Sequence, residues 1–133
     1  MRYMLTLIGP DGGWDDETTP EQMNEEMAHW ERFGNDAVDA GAFVAGEGLQ
    51  PPSTSKTVHG GRDEERVVTD GPFAETKEQV GGFYVLECKD LDEAVEWAKR
   101  CPIRAGAIEV RPVMDYAEYG YEDPADAGAT PAS

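Results

Sequence analysis

The sequence predicts an α+β domain in which two helices cover one face of an antiparallel sheet. Three features predict it: strand-like runs rich in β-branched and aromatic residues, two amphipathic helical segments that each follow a strand, and a turn-rich hairpin between them. The resulting order is β-α-β, a hairpin, then β-α-β, the ferredoxin-like arrangement of two βαβ halves in a sandwich. A chain of 133 residues suits one such domain with a modest core.

The first half of the chain contains the first βαβ unit. Residues 2–8 alternate and form a strand, which the following Gly-Pro-Asp-Gly-Gly run ends. A helix starts after Thr19, which can cap it while Gln22 completes a capping box, and it ends at Gly41. Residues 42–50 form the second strand. The apolar stripe of the helix consists of Met23, Met27, Trp30, Phe33, Ala37 and Val38.

The second half contains the hairpin and the second βαβ unit. Residues 56–59 and 66–69 form the hairpin, and residues 82–88 form the next strand. Asp90 to Glu93 begin the second helix with a second capping box, and residues 107–114 form the last strand. Apolar residues on both faces of the strand at 82–88 are expected where helices cover one face and another subunit covers the other.

The charge of the chain excludes several classes of partner. A net charge of −17 argues against nucleic-acid binding and against anionic membrane surfaces, because both present negative charge. No apolar run approaches the ~18 residues that a membrane span needs. The short apolar N-terminus is interpreted as a strand and not as a signal peptide, so the expected location is the cytoplasm.

The two cysteines are predicted to be free thiols. Cys88 ends a strand and Cys101 ends the helix that follows it. Such a helix separates its ends by ~16 Å, whereas a disulfide requires Cα atoms within ~7 Å. Cys101 is expected to serve packing, although a reactive thiol is the alternative, because neighbouring basic residues oppose the effect of the helix dipole.

A loop in the middle of the chain is the first candidate site. Asp70, Gly71 and Pro72 form a turn signal, which by itself needs no function. Polar and charged residues at 75–79 then crowd between Phe73 and the next strand. A polar segment that leaves a strand end is well placed to carry a site, so both interpretations stay open.

The run TDGPFAETKEQVGGFYVLE at residues 69–87 closely resembles the signature of the YCII-related proteins of the DGPF (DGPFAETKE) family. The segments RYMLTLIG, AGEGLQP and GAIEVRPVM also look like that family. The resemblance covers residues 1–114 and implies a homodimer whose two sheets face each other, a dimeric α/β barrel. The tail at 115–133 lies outside it and, being acidic and rich in small residues, is expected to be flexible.

The same resemblance implies a His–Asp pair, of which only one member is present. His29 lies where the YCII-type helix has its histidine. The matching aspartate belongs to a Trp-Ala-x-x-Asp-Pro stretch, where this chain has Cys101. His29 falls at the edge of the apolar stripe, which is also typical of a half-buried surface residue. A histidine has the right ordinary pKa for proton transfer near neutral pH.

Two functions are compatible with these residues. The first is a cofactor-free lyase or isomerase on a small organic molecule, with His29 and Asp70 as the catalytic pair and a cationic side chain holding an anionic group. The alternative is a non-catalytic ligand-binding or regulatory accessory protein linked to sigma-factor-type signalling, since many members of the family are encoded beside such factors. A third interpretation is that the loop only locks the dimer. The expected substrate-binding residues are Phe73, Lys77, Glu78, Tyr84 and Arg111.

Arg111 has a second interpretation, and no cofactor is expected. Because Arg111 lies in an apolar run, it needs a partner, so a structural ion pair with Glu75 or Glu78 competes with binding of an anion. No phosphate-binding glycine motif is present, and His29 and His59 lack metal-ligand spacing.

Overall fold

The computed structural model describes residues 1–10, 17–74 and 78–122, and these contain six strands and two long helices. Two short 3₁₀ turns, Pro52–Thr54 and Tyr116–Tyr119, accompany them. The elements in chain order are β1 (Arg2–Pro10), α1 (Pro20–Asp39), β2 (Phe43–Gly48), β3 (Lys56–His59), β4 (Val67–Asp70), β5 (Glu78–Glu87), α2 (Leu91–Arg100) and β6 (Ala107–Pro112).

The main sheet has the strand order β2-β5-β1-β6, and each neighbouring pair is antiparallel. Strands β3 and β4 pair with each other as a separate two-stranded sheet. The two crossovers, one through α1 and one through α2, place both βαβ halves in one sheet. This topology confirms the predicted ferredoxin-like α+β fold.

Local capping chemistry sets the starts of both helices, as the sequence predicted. Thr19 and Gln22 form the reciprocal capping box, with the Gln22 amide donating to the Thr19 hydroxyl at 3.1 Å. Asp90 caps α2 by accepting from the amide of Glu93 at 2.9 Å, but the described residues lack the reciprocal bond from the Asp90 amide to the Glu93 side chain that the predicted second capping box requires. Gly41 follows α1 with a φ of 71°, the left-handed conformation that ends many helices.

The core lies between the two helices and one face of the main sheet. Leu5 and Leu86, in the two central strands, are fully buried. They pack in one cluster with Phe33 and Ala37 of α1 and with Trp97 of α2. Burial of these side chains is the main force holding the layers together.

The predicted apolar stripe of α1 is buried only in its second half. Phe33 and Ala37 are buried, but Met23 and Met27 near the start of the helix are exposed, as is Val38. The first half of α1 borders an open cavity instead of packing directly on the sheet. A helical period predicts which residues share a face, but it does not predict how much of that face is covered.

The opposite face of the main sheet carries apolar residues too. Side chains alternate along a strand, so Met4, Phe83 and Val85 lie on the face opposite to Leu5 and Leu86. The pairing places Met4 beside Val85 and Thr6 beside Phe83. These four side chains are half-buried within the single chain. We call this surface the open face.

Strand β5 begins earlier than the sequence predicted. Glu78 is its first residue, although the sequence predicted it in the loop at residues 70–78, which we call the signature loop. Glu78 pairs with Pro10, because β1 also runs beyond its predicted end. The register shifts by one residue between Leu7 and Ile8, where Gly81 is the extra residue in β5. Gly82 lies inside the strand, where an added Cβ atom would lie 2.8 Å from the carbonyl oxygen of Glu47. Gly82 therefore permits close strand pairing and does not mark the start of the strand.

Candidate functional site

A cavity of about 520 Å³ lies at one end of the main sheet, between the sheet and the first half of α1. Its walls come from the end of β1, from β2 and β5, and from the segment that follows α2. The side chains that line it are mainly apolar and aromatic, with a few charged groups. Those used below are Met27, Trp30, Tyr84, Glu26 and Arg104.

Glycine in β2 makes room for the aromatic wall of the cavity. An added Cβ atom on Gly46 would lie 2.6 Å from Cδ1 of Tyr84, so the tyrosine ring rests directly on the strand backbone. The same ring stacks on Trp30, with centroids 6.1 Å apart and planes 17° apart. It also meets Phe33 edge to face, at a centroid distance of 5.0 Å. The AGEG segment therefore shapes the cavity through its backbone.

Two polar hydrogens on this wall are available for a ligand, as far as the described residues go. Within the described residues, no group accepts a hydrogen bond from the Tyr84 hydroxyl or the Trp30 indole nitrogen. Burial raises the pKa of Tyr84 above its usual value, and the neighbouring Cys101 thiol adds to the effect. The hydroxyl therefore keeps its proton at physiological pH and can donate to a ligand.

Glu26 supplies a partly buried carboxylate to the same cavity. Its side chain is 18% exposed, and its Oε1 atom lies 3.6 Å from Nε of Arg104. The Arg104 side chain is 73% exposed, so water solvates most of the guanidinium. A contact of this length between a buried and a solvated group is a loose ion pair.

Cys101 does not replace the charge of an aspartate. It caps α2 at its C-terminal end and is buried, with 8% of the residue exposed. Burial raises the pKa of its thiol to about 12, so the group is neutral near pH 7. The structure thus favours the packing interpretation over a reactive thiol. Cys88 and Cys101 are both free, which confirms that they form no disulfide.

The signature loop forms a turn on the separate hairpin, away from the cavity wall. Asp70 ends β4 with an exposed carboxylate, 2.6 Å from Nζ of Lys56. Gly71 has a φ of 89°, and its carbonyl accepts a hydrogen bond from the Thr57 hydroxyl at 2.7 Å. Phe73 is 82% exposed. The described residues of the loop therefore behave as the turn signal predicted, while residues 75–77, Lys77 among them, lie outside the described part.

The two predicted catalytic residues lie on different elements of the structure. His29 is exposed on α1 and is absent from the cavity lining, and Asp70 lies on the hairpin. In the part of the chain that the structure describes, no hydrogen bond or ion pair joins them. Of the other predicted site residues, Tyr84 lines the cavity, whereas Phe73, Glu78 and Arg111 do not.

The ion pair of Arg111 involves a different partner from those the sequence suggested. Arg111 pairs with Glu109, two residues earlier in β6. Residues i and i+2 of a strand share a face, so the two side chains meet on the open face. The Arg111 side chain is 74% exposed, which removes the need for a partner from the signature loop.

The two paired charged residues of the cavity, Glu26 and Arg104, were not predicted as site residues from the sequence. Glu26 lies four residues before Trp30, and that spacing places both on one side of α1, which was an available signal. Arg104 follows Pro102 in the segment after α2, and nothing local connects it to α1. The chain brings them together only through the packing of both helices on the sheet.

Two kinds of feature are absent from the described residues. Neither helix in residues 1–10, 17–74 and 78–122 is long and apolar enough to cross a bilayer. Over those same ranges, no group of three or more His, Cys, Asp and Glu side chains is arranged to hold a metal ion.

Comparison with known proteins identifies the family. Residues 1–117 match the model of the YCII-related domain. An uncharacterised protein of Rhizobium meliloti (strain 1021) is 35% identical over 106 residues, an alignment that covers 77% of this chain and 82% of that protein. The match spans both βαβ halves, the cavity and the signature loop. The chain therefore belongs to the YCII-related family.

Proposed function

We propose that this protein binds a small, largely apolar organic molecule in the cavity between α1 and the main sheet. The observation that carries the proposal is the cavity itself, which has an aromatic wall and a few polar groups. Its volume of about 520 Å³ lies within the usual range for small-molecule sites. A flat ring fits against the stacked Trp30 and Tyr84, and the Tyr84 hydroxyl can donate to a polar group of the ligand.

Binding of 2-naphthol, followed by its fluorescence and by thermal shift, tests the proposal. Gly46→Ala should weaken binding at least about tenfold, because the new methyl group displaces the Tyr84 ring. Gly34→Ala is the matched control, since its methyl group meets nothing within 4 Å and Gly34 does not line the cavity. Met27→Trp tests the cavity by filling it from a residue that is exposed and therefore tolerant of substitution.

We expect saturable binding to the wild type, unchanged binding to Gly34→Ala, and a large loss for both cavity variants. Equal affinity for all four proteins would show that the probe binds elsewhere. The absence of any binding to the wild-type protein would also contradict the proposal.

We also propose that a second copy of the chain covers the open face. Apolar Met4, Phe83 and Val85 lie there, on the two central strands, where sheets of this kind are normally covered. An interface of the standard ~1,600 Å² would cover this surface on both copies.

Introducing a charge on the open face should abolish the dimer. Val85→Glu places a carboxylate opposite Met4, where desolvation in an interface is costly. Sedimentation velocity should show a dimer for the wild-type protein and a monomer for Val85→Glu. Exposed Val58 on the hairpin lies off this face, so Val58→Glu is the matched control and should stay dimeric. A monomeric wild type, or a dimeric Val85→Glu, would contradict the assignment of this face.

Proton transfer by His29 and Asp70, with Lys77 or Arg111 holding an anionic group, stays a prediction from the family resemblance. So does a regulatory role beside sigma factors. Neither His29 nor Asp70 borders the cavity of its own chain. Ligand binding is therefore the function that the geometry supports best.

A further inference from the structure

The charged groups around the cavity bear on which sign of charge a ligand can carry. Of the charged residues that border it, Glu26 and Arg104 form an ion pair, whereas Glu47 pairs with Phe83 and so directs its side chain to the open face. Glu26 is the more enclosed of the paired charges, because its side chain is 18% exposed and that of Arg104 is 73% exposed. Because water reaches Glu26 less than Arg104, a ligand group that hydrogen-bonds to Glu26 replaces more of the lost hydration and gains more binding free energy. A ligand therefore meets an acceptor on the wall and a solvated cation beside it.

The contact with Arg104 leaves Glu26 able to accept another hydrogen bond. The Nε–Oε1 distance of 3.6 Å exceeds that of a good hydrogen bond. A carboxylate has about four lone-pair positions, and Glu26 accepts no hydrogen bond from the described residues. A donor on the ligand can thus approach Glu26 more closely than Arg104 does, without displacing it.

The aromatic wall, like Glu26, favours a positively charged ligand. Trp30 lies one helical turn after Glu26 on α1 and stacks on Tyr84. The faces of such rings attract cations, most strongly when the site is shielded from water. The net charge of −17 also attracts cations to the protein and repels anions.

We infer that the ligand is a small aromatic or alicyclic amine, whose ammonium group donates to Glu26 while its ring lies against Trp30 and Tyr84. This inference rests on the proposed function and adds the chemical class of the ligand. It also differs from an anionic ligand held by Lys77 or Arg111, because Arg111 lies on the open face and does not line the cavity.

A series of three probes that share one ring system tests the inference. The probes are 2-naphthylmethylamine, 2-naphthalenemethanol and 2-naphthoate, which are cationic, neutral and anionic at neutral pH. Their affinities for the full chain are measured by calorimetry. The amine should bind about tenfold more tightly than the alcohol, and the anion should bind most weakly.

Glu26→Gln keeps the size of the side chain and removes its charge. It should lower the affinity for the amine about tenfold and leave the affinity for the alcohol within about threefold. Glu96→Gln is the matched control, because Glu96 is exposed on α2, pairs with Lys99 and does not line the cavity. It changes the net charge equally and should leave all three affinities unchanged.

The possible outcomes separate this inference from the proposed function. If the alcohol binds but the amine is not preferred, the ligand class is wrong and the cavity proposal stands. If Glu26→Gln and Glu96→Gln reduce amine binding equally, the preference comes from net charge and not from Glu26, and the inference fails. If none of the three probes binds the wild-type protein, the cavity proposal fails together with the inference.

Discussion

Replacing Gly106 with alanine is expected to cost at least about 3 kcal/mol of unfolding free energy. Gly106 lies just before β6 with a φ of +112°, a conformation that other residues rarely adopt. An added Cβ atom would lie 2.0 Å from the carbonyl oxygen of Ile8, which is backbone and cannot move aside cheaply. Ile8 follows the register shift in the pairing of β1 with β5 and lines the cavity, so the variant should also weaken ligand binding.

Two further glycine variants separate the causes of this loss. Gly41→Ala introduces backbone strain without a clash, because φ is +71° and nothing lies within 4 Å of the new atom. Its cost should be about 1–2 kcal/mol. Gly34→Ala introduces neither, and alanine in the helix should stabilise the protein by about 0.5–1 kcal/mol. Urea unfolding measures all three. A Gly106→Ala protein no less stable than Gly41→Ala would contradict the proposed clash.

Replacing Cys101 with aspartate is expected to cost about 2–4 kcal/mol near pH 8. The change introduces the carboxylate that the family resemblance implies at this position. Cys101 is buried, and the same burial that raises the pKa of its thiol to about 12 would raise the pKa of a carboxyl group. The folded protein must then either bury a charge or hold a proton that the unfolded chain has released.

The sign of the pH dependence follows from this raised pKa. Below the carboxyl pKa of the unfolded chain, near 4, the aspartate is protonated in both the folded and the unfolded state. In this range it lowers the free energy of unfolding least. As pH rises towards the folded-state pKa, the unfolded chain releases its proton first, and stability falls by up to about 1.4 kcal/mol per pH unit. Cys101→Asn is the matched control, because it is similar in size and carries no charge.

Urea midpoints of the two variants at about pH 4.5 and at about pH 8 measure the effect. The gap in stability between the aspartate and asparagine variants should be small at the lower pH and large at the higher one. Equal stabilities at both pH values would mean that Cys101 is more accessible to water than the structure shows. In that case a carboxylate at this position would be tolerated in this fold.

The parts of this protein that were predictable from sequence are those decided within one or two turns of chain. Thr19 and Gln22 cap α1 through a reciprocal pair of hydrogen bonds, and Asp90 caps α2 through a single one. The Asp-Gly-Pro sequence predicted the turn at Gly71, whose positive φ the structure shows. The signature run around it identified the family, which the match over residues 1–117 shows.

The start of β5 shows where such local signals end. Glu78 and the residues after it carry no strong strand signal, and the prediction started the strand at Gly82. The structure includes them because β1 extends to Pro10 and supplies partners for them. The length of a strand depends on its neighbour, since each backbone hydrogen bond in a sheet joins two segments of the chain.

The sequence by itself determined the family, the order of the elements, the capped helix starts and the free state of the cysteines. Only the tertiary structure decided the cavity, since Glu26, Tyr84 and Arg104 come from α1, β5 and the segment after α2. It also placed His29 and Asp70 on separate elements, outside the cavity wall. The physical reason is the distance along the chain over which each kind of interaction acts. Caps, turns and periodicity act over about four residues, whereas a site depends on which distant segments the sheet register and core packing bring together.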